Sequence, residues 1–132
     1  MLFDTTVWVD HLNKGETPQA ILLAEILPNR VFITSTILQE VLQGISNPNY
    51  ADVVRQLLLQ QKILRWDEVE AALFAAQLYA DLRRKGVTIR KPNDCLIASF
   101  ALHFDLELCH NDSDFNQIAL QYPLKIWRPA EN

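Results

Sequence analysis

Met1-Leu2-Phe3-Asp4-Thr5-Thr6-Val7-Trp8-Val9-Asp10-His11-Leu12 sets how the rest of this sequence is read. Three apolar residues suit a short buried strand, a carboxylate stands flush against its end, and Thr5-Thr6 offers an N-cap for a helix running on to Leu12. Strand, polar residue and helix in that order make the repeating unit of an α/β sheet, and the unit recurs. Apolar runs suited to buried strands follow at Arg30-Val31-Phe32-Ile33-Thr34, Lys62-Ile63-Leu64-Arg65-Trp66 and Glu107-Leu108-Cys109, with a fifth candidate at Leu124-Lys125-Ile126-Trp127.

Helical spacing fills the intervals. Ile21, Leu22, Ala24, Glu25 and Leu27 run up to a stop at Pro28; Ile37, Leu38, Val41, Leu42 and Ile45 form a second face, and Val53, Val54, Leu57 and Leu58 a third. The longest helix is expected over 67–85, with Val69, Ala72, Leu73, Ala76, Tyr79, Ala80 and Leu82 or Arg83 as its apolar stripe, basic residues in its last turn and Gly86 closing it. Another begins at Pro92-Asn93-Asp94, with Asn93 as the cap, and continues through Phe104. Apolar strands alternating with helices predict one α/β domain over 1–132. Its central, mainly parallel sheet has four to five strands, with helices on both faces.

The chain has 132 residues, 49% of them hydrophobic, which is enough for a core and excludes disorder. No apolar run of about 18 residues is present, and the first residues lack a basic stretch followed by a long apolar one, so neither a membrane span nor a leader is expected and the location reads as cytoplasmic. Cys95 and Cys109, in apolar surroundings and without CxxC spacing, read as small buried hydrophobes rather than as zinc ligands with His103 and His110. With 12 Lys+Arg against 16 Asp+Glu, the net charge of -4 argues against a broad basic face for nucleic acid.

Where those acids fall matters more than their number, because ligands of open α/β sheets bind beyond the carboxyl ends of the strands. Asp4 follows the first strand directly. Glu40 lies one turn into the helix after the second, Asp94 stands at a helix start, and Asp112 and Asp114 follow the strand ending at Cys109. Singly, Asp94 or Asp112 is explained by the helix dipole, worth about 0.3 to 1 kcal/mol. Asp4 and Glu40 resist that account: a carboxylate against a buried strand is costly to desolvate, and Glu40 interrupts an apolar run. Two carboxylates about 5 Å apart repel by roughly 3 kcal/mol at an effective dielectric near 20, so a convergent cluster demands protons or a cation. All-oxygen ligands favour Mg²⁺ or Mn²⁺ over zinc, and such an ion activates water against a phosphodiester.

Leu2 to Asp10, Thr34-Ser35-Thr36-Ile37-Leu38-Gln39-Glu40-Val41-Leu42-Gln43-Gly44, Asn93-Asp94-Cys95-Leu96-Ile97-Ala98 and Asn111-Asp112-Ser113-Asp114-Phe115 together resemble the PIN-domain family, and more narrowly the toxins of VapBC-type toxin–antitoxin pairs. The resemblance implies a Mg²⁺- or Mn²⁺-dependent endoribonuclease acting on RNA, neutralised by a VapB-like antitoxin and dimeric with itself, with no membrane association and no direct DNA binding by this chain alone. Asp4, Glu40 and Asp94 match the family's first three acids. Asp112 is the fourth, with Asp114 in reserve, and Thr6 matches a hydroxyl residue beside the metal. Two positions depart from the pattern, His110 where Thr is common and Cys95 where Ala is common, and both stand beside the site.

Arg83, Arg84, Lys85, Arg90 and Lys91 crowd the stretch before Asp94. The first three also complement a helix C-terminus, whereas Arg90 and Lys91 have no such role and are candidates, with Arg83 and Arg84, for holding RNA phosphates. Trp8 reads as core and His11 as polar surface. No Ser-His-Asp or Cys-His pairing and no glycine-rich phosphate loop is present, which removes acyl transfer and nucleotide binding. A receiver-like phospho-accepting domain would want paired acids after the first strand, where this chain has Thr5. A catalytically inert PIN-like interaction module stays open.

Overall fold

The structure, a computed structural model, describes residues 1–27 and 29–130. The apolar runs form strands shorter than the runs themselves: β1 (Leu2–Phe3), β2 (Phe32–Ile33), β3 (Lys62–Ile63) and β4 (Leu108–Cys109). All pair in parallel in the order β3-β2-β1-β4, with Leu2 opposite both Phe32 and Leu108. The fifth candidate contributes a single parallel bridge from Ile126 to Leu108. Leu2, Phe3, Ile33, Leu108 and Cys109 have no exposed surface, as strands covered on both faces require.

Seven helices intervene: α1 (Thr5–Leu12), α2 (Pro18–Ile26), α3 (Ser35–Gln43), α4 (Pro48–Leu59), α5 (Glu68–Arg84), α6 (Pro92–His103) and α7 (Ser113–Gln121). α2 ends at Ile26, and the stop read at Pro28 lies outside the described residues. α5 packs along α6, and α1 along α2. Among the described residues, no helix is long and apolar enough to cross a membrane.

Three local expectations are corrected. The cap of α1 is Asp4 itself, which accepts from the Val7 amide, while Thr5 and Thr6 lie inside the helix. At α6 the cap position is Lys91, without a side-chain bond, and Pro92 at the first turn pushes Asn93 into the helix. On α5 the buried side is Ala71, Leu78 and Leu82, whereas Val69 and Leu73 are 67% and 66% exposed. That helix is apolar around most of its circumference, so spacing alone could not choose the inward face. Gly86, at φ 83°, takes the left-handed position after the helix, where the Val87 amide bonds the Leu82 carbonyl at 2.9 Å.

The strand order decides where a site can form. From β1 the chain steps one way to β2 and β3, then returns to place β4 on the other side of β1. The reversal opens a crevice between the carboxyl ends of β1 and β4, where this class of sheet binds ligands. Asp4 follows β1, its amide bonded to the Cys109 carbonyl at 3.1 Å, and the loop leaving Cys109 carries His110 to Asp112.

Candidate metal and active site

Asp4 is 2% exposed. Its Oδ1 accepts from Thr6 Oγ1 at 2.6 Å and from the Val7 amide at 3.4 Å. Burial nonetheless pushes its carboxyl up to about 7, with the charge of Asp112 adding to the effect. Thr6 Oγ1 also accepts from the Asn111 amide at 3.0 Å, so one hydroxyl ties the loop after β1 to the loop after β4.

The tightest grouping is Asp94, Asp112 and Asp114, all buried, with one carboxylate oxygen from each within 4.8 Å of the others. α6 supplies Asp94 in its first turn, and α7 supplies both other acids. Asp112 is the N-cap of α7 and accepts from the Asp114 amide at 2.9 Å, while Asp114 Oδ2 accepts from the Arg90 amide at 3.2 Å. Burial pushes Asp94 up to about 8, helped by hydrogen bonding to Asp112 and the charges of Asp112 and Asp4. Burial works the same way on Asp112, yet the Asp114 amide, Asp94, Lys91 and Arg90 outweigh it and hold Asp112 below the usual carboxylate range.

A cation suits these residues better than protons do. Asp94 Oδ2 is buried and, among the described residues, has no hydrogen-bond partner, a costly arrangement for a carboxylate that a ligand does not satisfy. Two further acids, Asp112 and Asp114, each bring a carboxylate oxygen within 4.8 Å of one of Asp94's, and among the described residues no thiol or imidazole joins the group. Such a donor set matches a hard divalent ion that keeps some of its waters.

Glu40 reaches the same edge from the β2 side. Its Oε1 accepts from Thr5 Oγ1 at 2.6 Å, next to Asp4, and it lies outside the tight group of three. Asp112 and Asp114, the two candidates for the fourth acid, are both members of that group. Arg90 lies 3.6 Å from Asp114 and 3.9 Å from Asp112, and Lys91 lies 3.9 Å from Asp112. Arg83 and Arg84 are otherwise engaged: Arg84 pairs with Asp81 at 2.6 Å, and Arg83 covers the Tyr79 ring. These two complement the end of α5, the simpler of the roles open to them.

Two residues escaped a functional reading. Thr5, taken only as part of a cap, holds Glu40, a contact across 35 positions for which local sequence carries no signal. His110 is buried, and its Nδ1 accepts from the Asp112 amide at 3.0 Å, so it braces an acid of the cluster. Burial holds its imidazole below the ordinary value. The departure from Thr at that position was the signal. Trp8, Cys95 and Cys109 are buried as expected, and burial raises the two thiols to about 11 and about 12. His11 is half-buried, edge-on to Trp8.

A buried acidic group thus stands at the switch point of a parallel α/β sheet, and comparison with known proteins identifies the class of protein. Residues 1–120 match the PIN domain family, and the chain belongs to that family, in its VapC ribonuclease branch. A VapC ribonuclease of Mycobacterium bovis and ribonuclease VapC11 of Mycobacterium tuberculosis are each 30% identical over 122 residues, covering 90% of this chain and 91% of theirs. Among solved structures, VapBC2 of Rickettsia felis, bound to a fragment of promoter DNA, superposes with a TM-score of 0.74 at 22% identity over 96% of both chains. DNA-bound VapBC of Salmonella typhimurium gives 0.73 at 26% identity over 96% of this chain and 95% of that one.

Proposed function

We propose that this protein is a divalent-metal-dependent endoribonuclease and the toxin of a type II toxin–antitoxin pair. The observation that carries the reading is the orphaned Asp94 oxygen inside a three-carboxylate group that adjoins Asp4. Asp4, Asp94 and Asp112, with Asp114, are the residues that would hold Mg²⁺ or Mn²⁺. When bound, the ion supplies Lewis-acid polarisation of the phosphodiester and lowers the pKa of an attacking water.

The chain's own groups do the rest. Burial and neighbouring charges raise the Asp4 and Asp94 carboxyls, so at neutral pH the metal-free site holds Asp94 mostly protonated and Asp4 about half so, and a bound cation would displace those protons. Thr6 fixes the Asp4 carboxylate through a 2.6 Å bond and ties it to Asn111. Glu40, steadied by Thr5, is placed to take the proton that an attacking water loses. Arg90 and Lys91, drawn to the cluster, are placed to neutralise the phosphate as it arrives.

The names of the relatives support the remaining parts of the reading. Proteins called VapC ribonuclease align along nearly the whole chain, and structures of VapBC assemblies share its fold. We assign it a VapB-like antitoxin as partner, self-association as a dimer, and a cytoplasmic location. The deciding experiment is cleavage of an end-labelled RNA pool with Mg²⁺, with Mn²⁺ and with chelator, comparing wild type, Asp4→Asn and Asp94→Asn. Wild type cuts only with metal, and each variant loses at least a hundredfold in rate. Metal-independent cutting would refute the metal assignment. No cutting under any metal would leave the inert interaction module as the correct reading.

A further inference from the structure

Asp112 also lines a concavity of about 240 Å³ between the end of β4, the start of α7 and the C-terminal segment. His110, Asn111, Ser113, Asn116 and Arg128 line it together with Asp112. The Asp112 carboxylate is committed elsewhere: Oδ1 accepts from the Asp114 amide, and the two oxygens lie 3.9 Å from Arg90 and Lys91. Beside the amides of Gln19, Asn111 and Asn116, the pocket offers the donors of Arg128, Ser113 and His110.

Arg128 is exposed and anchored by Asn116 Oδ1 at 3.3 Å, which leaves most of its five donors unused. Ser113 is exposed at the first position of α7, where helix ends favour negative charge. His110 supplies an independent sign. It is only 7% exposed, and because its Nδ1 accepts from the Asp112 amide, its hydrogen resides on Nε2. That Nε2–H is buried and, among the described residues, has no partner. A base edge presents donors as well as acceptors, whereas a phosphate presents acceptors and charge alone. The Asn116 amide oxygen is taken by Arg128, and what marks this pocket is charge: a guanidinium and the first turn of a helix favour an anion over a neutral base edge.

We propose that this pocket is a second phosphate subsite, holding the backbone phosphate next to the linkage that is cut, with Arg128 as its cationic anchor, Ser113 at its rim and His110 at its floor. The inference rests on the ribonuclease reading above. The two sites share Asp112, so a single strand crossing the sheet edge meets both in succession. Arg90 and Lys91 flank the cluster on one side, and Arg128 continues the positive track on the other.

The test is steady-state cleavage of a short labelled RNA by the full-length protein in Mn²⁺, over a range of salt. Arg128→Gln raises KM about tenfold with little change in kcat, and flattens the dependence of log(kcat/KM) on log[salt] by about 0.7, the slope for one contact to a single strand. His110→Asn keeps an acceptor near the place of Nδ1 and withdraws the distal donor. It raises KM several-fold at an unchanged melting temperature. In a scan of neutral methylphosphonate linkages, the linkage beside the cut weakens binding to wild type and has no further effect on Arg128→Gln. Unchanged KM and salt slope in Arg128→Gln, with active wild type, would overturn the subsite alone. A loss that follows base identity and spares the salt slope would overturn it too. A wild type that cuts no RNA would remove the ribonuclease reading and the subsite together.

Discussion

At the scale of single residues, the site is a set of acids held in poor electrostatic conditions. Asp4 and Asp94 have carboxyls raised to about 7 and about 8 from 3.8, so between those limits the folded chain binds more protons than the unfolded one. Stability of the metal-free protein therefore falls as pH rises from about 4 to about 8, and levels off above that. Replacing Asp94 by Asn removes the conflict and is expected to stabilise the metal-free fold by on the order of 2 kcal/mol, while flattening that pH dependence. Thermal melts of both proteins between pH 5 and 8 decide it. Adding Mn²⁺ should raise the wild-type melting temperature most at the alkaline end, where no proton competes, and should do little for Asp94→Asn.

At the scale of elements, two acids of the site double as helix caps. Asp4 opens α1 and Asp112 opens α7, each accepting a backbone amide of the first turn. Asn keeps that bond and loses the charge, whereas Ala loses both. Asp112→Asn should thus abolish cleavage without lowering the melting temperature, and Asp112→Ala should abolish it with a further loss of about 1 kcal/mol in stability, read by urea unfolding. Equal stability of the two variants would show that the cap contributes nothing. The elements were legible in the sequence wherever a run had a single reading: Leu2-Phe3 and Leu108-Cys109 are apolar on both faces, and Pro92 marks a first turn. Legibility failed where a residue had two possible roles. Asp4 was read as a ligand and not as a cap, and α5 has apolar residues on both its buried and exposed sides.

At the scale of the whole molecule, the net charge of -4 acquires a location. Several of the acids stand at one sheet edge, where the divalent cation of the proposed function would supply positive charge the composition lacks. The four acids were readable as following strands or opening helices, because α/β topology sends such positions to one edge. Their distances were not, since Thr6 to Asn111 and Thr5 to Glu40 are long-range contacts. On the proposed ribonuclease function, the basic residues near the edge would meet the RNA phosphates as they approach. Neutralising Arg90 and Lys91 together should weaken RNA binding by about tenfold or more at 50 mM salt and reduce the salt slope by about 1 to 2, measured by fluorescence anisotropy with Asp4→Asn as the non-cutting background. An unchanged slope would assign both side chains to the acids alone.

The hydroxyl of Thr6, which receives the Asn111 amide from 105 residues away, carries a consequence for the time at which activity begins. β4 and α7 are the last sheet strand and last helix of the chain, and without them Asp112 and Asp114 are missing and β1 lacks one of its two neighbours. During synthesis the first acid emerges early and its partners late, so the catalytic edge closes only when the C-terminal segment docks. On the proposed function, a chain still being translated would be inert, and a product truncated before β4 would leave the surrounding RNA uncut. Long-range closure of this kind also slows folding, which gives a binding partner an interval in which to meet the chain before its edge is complete.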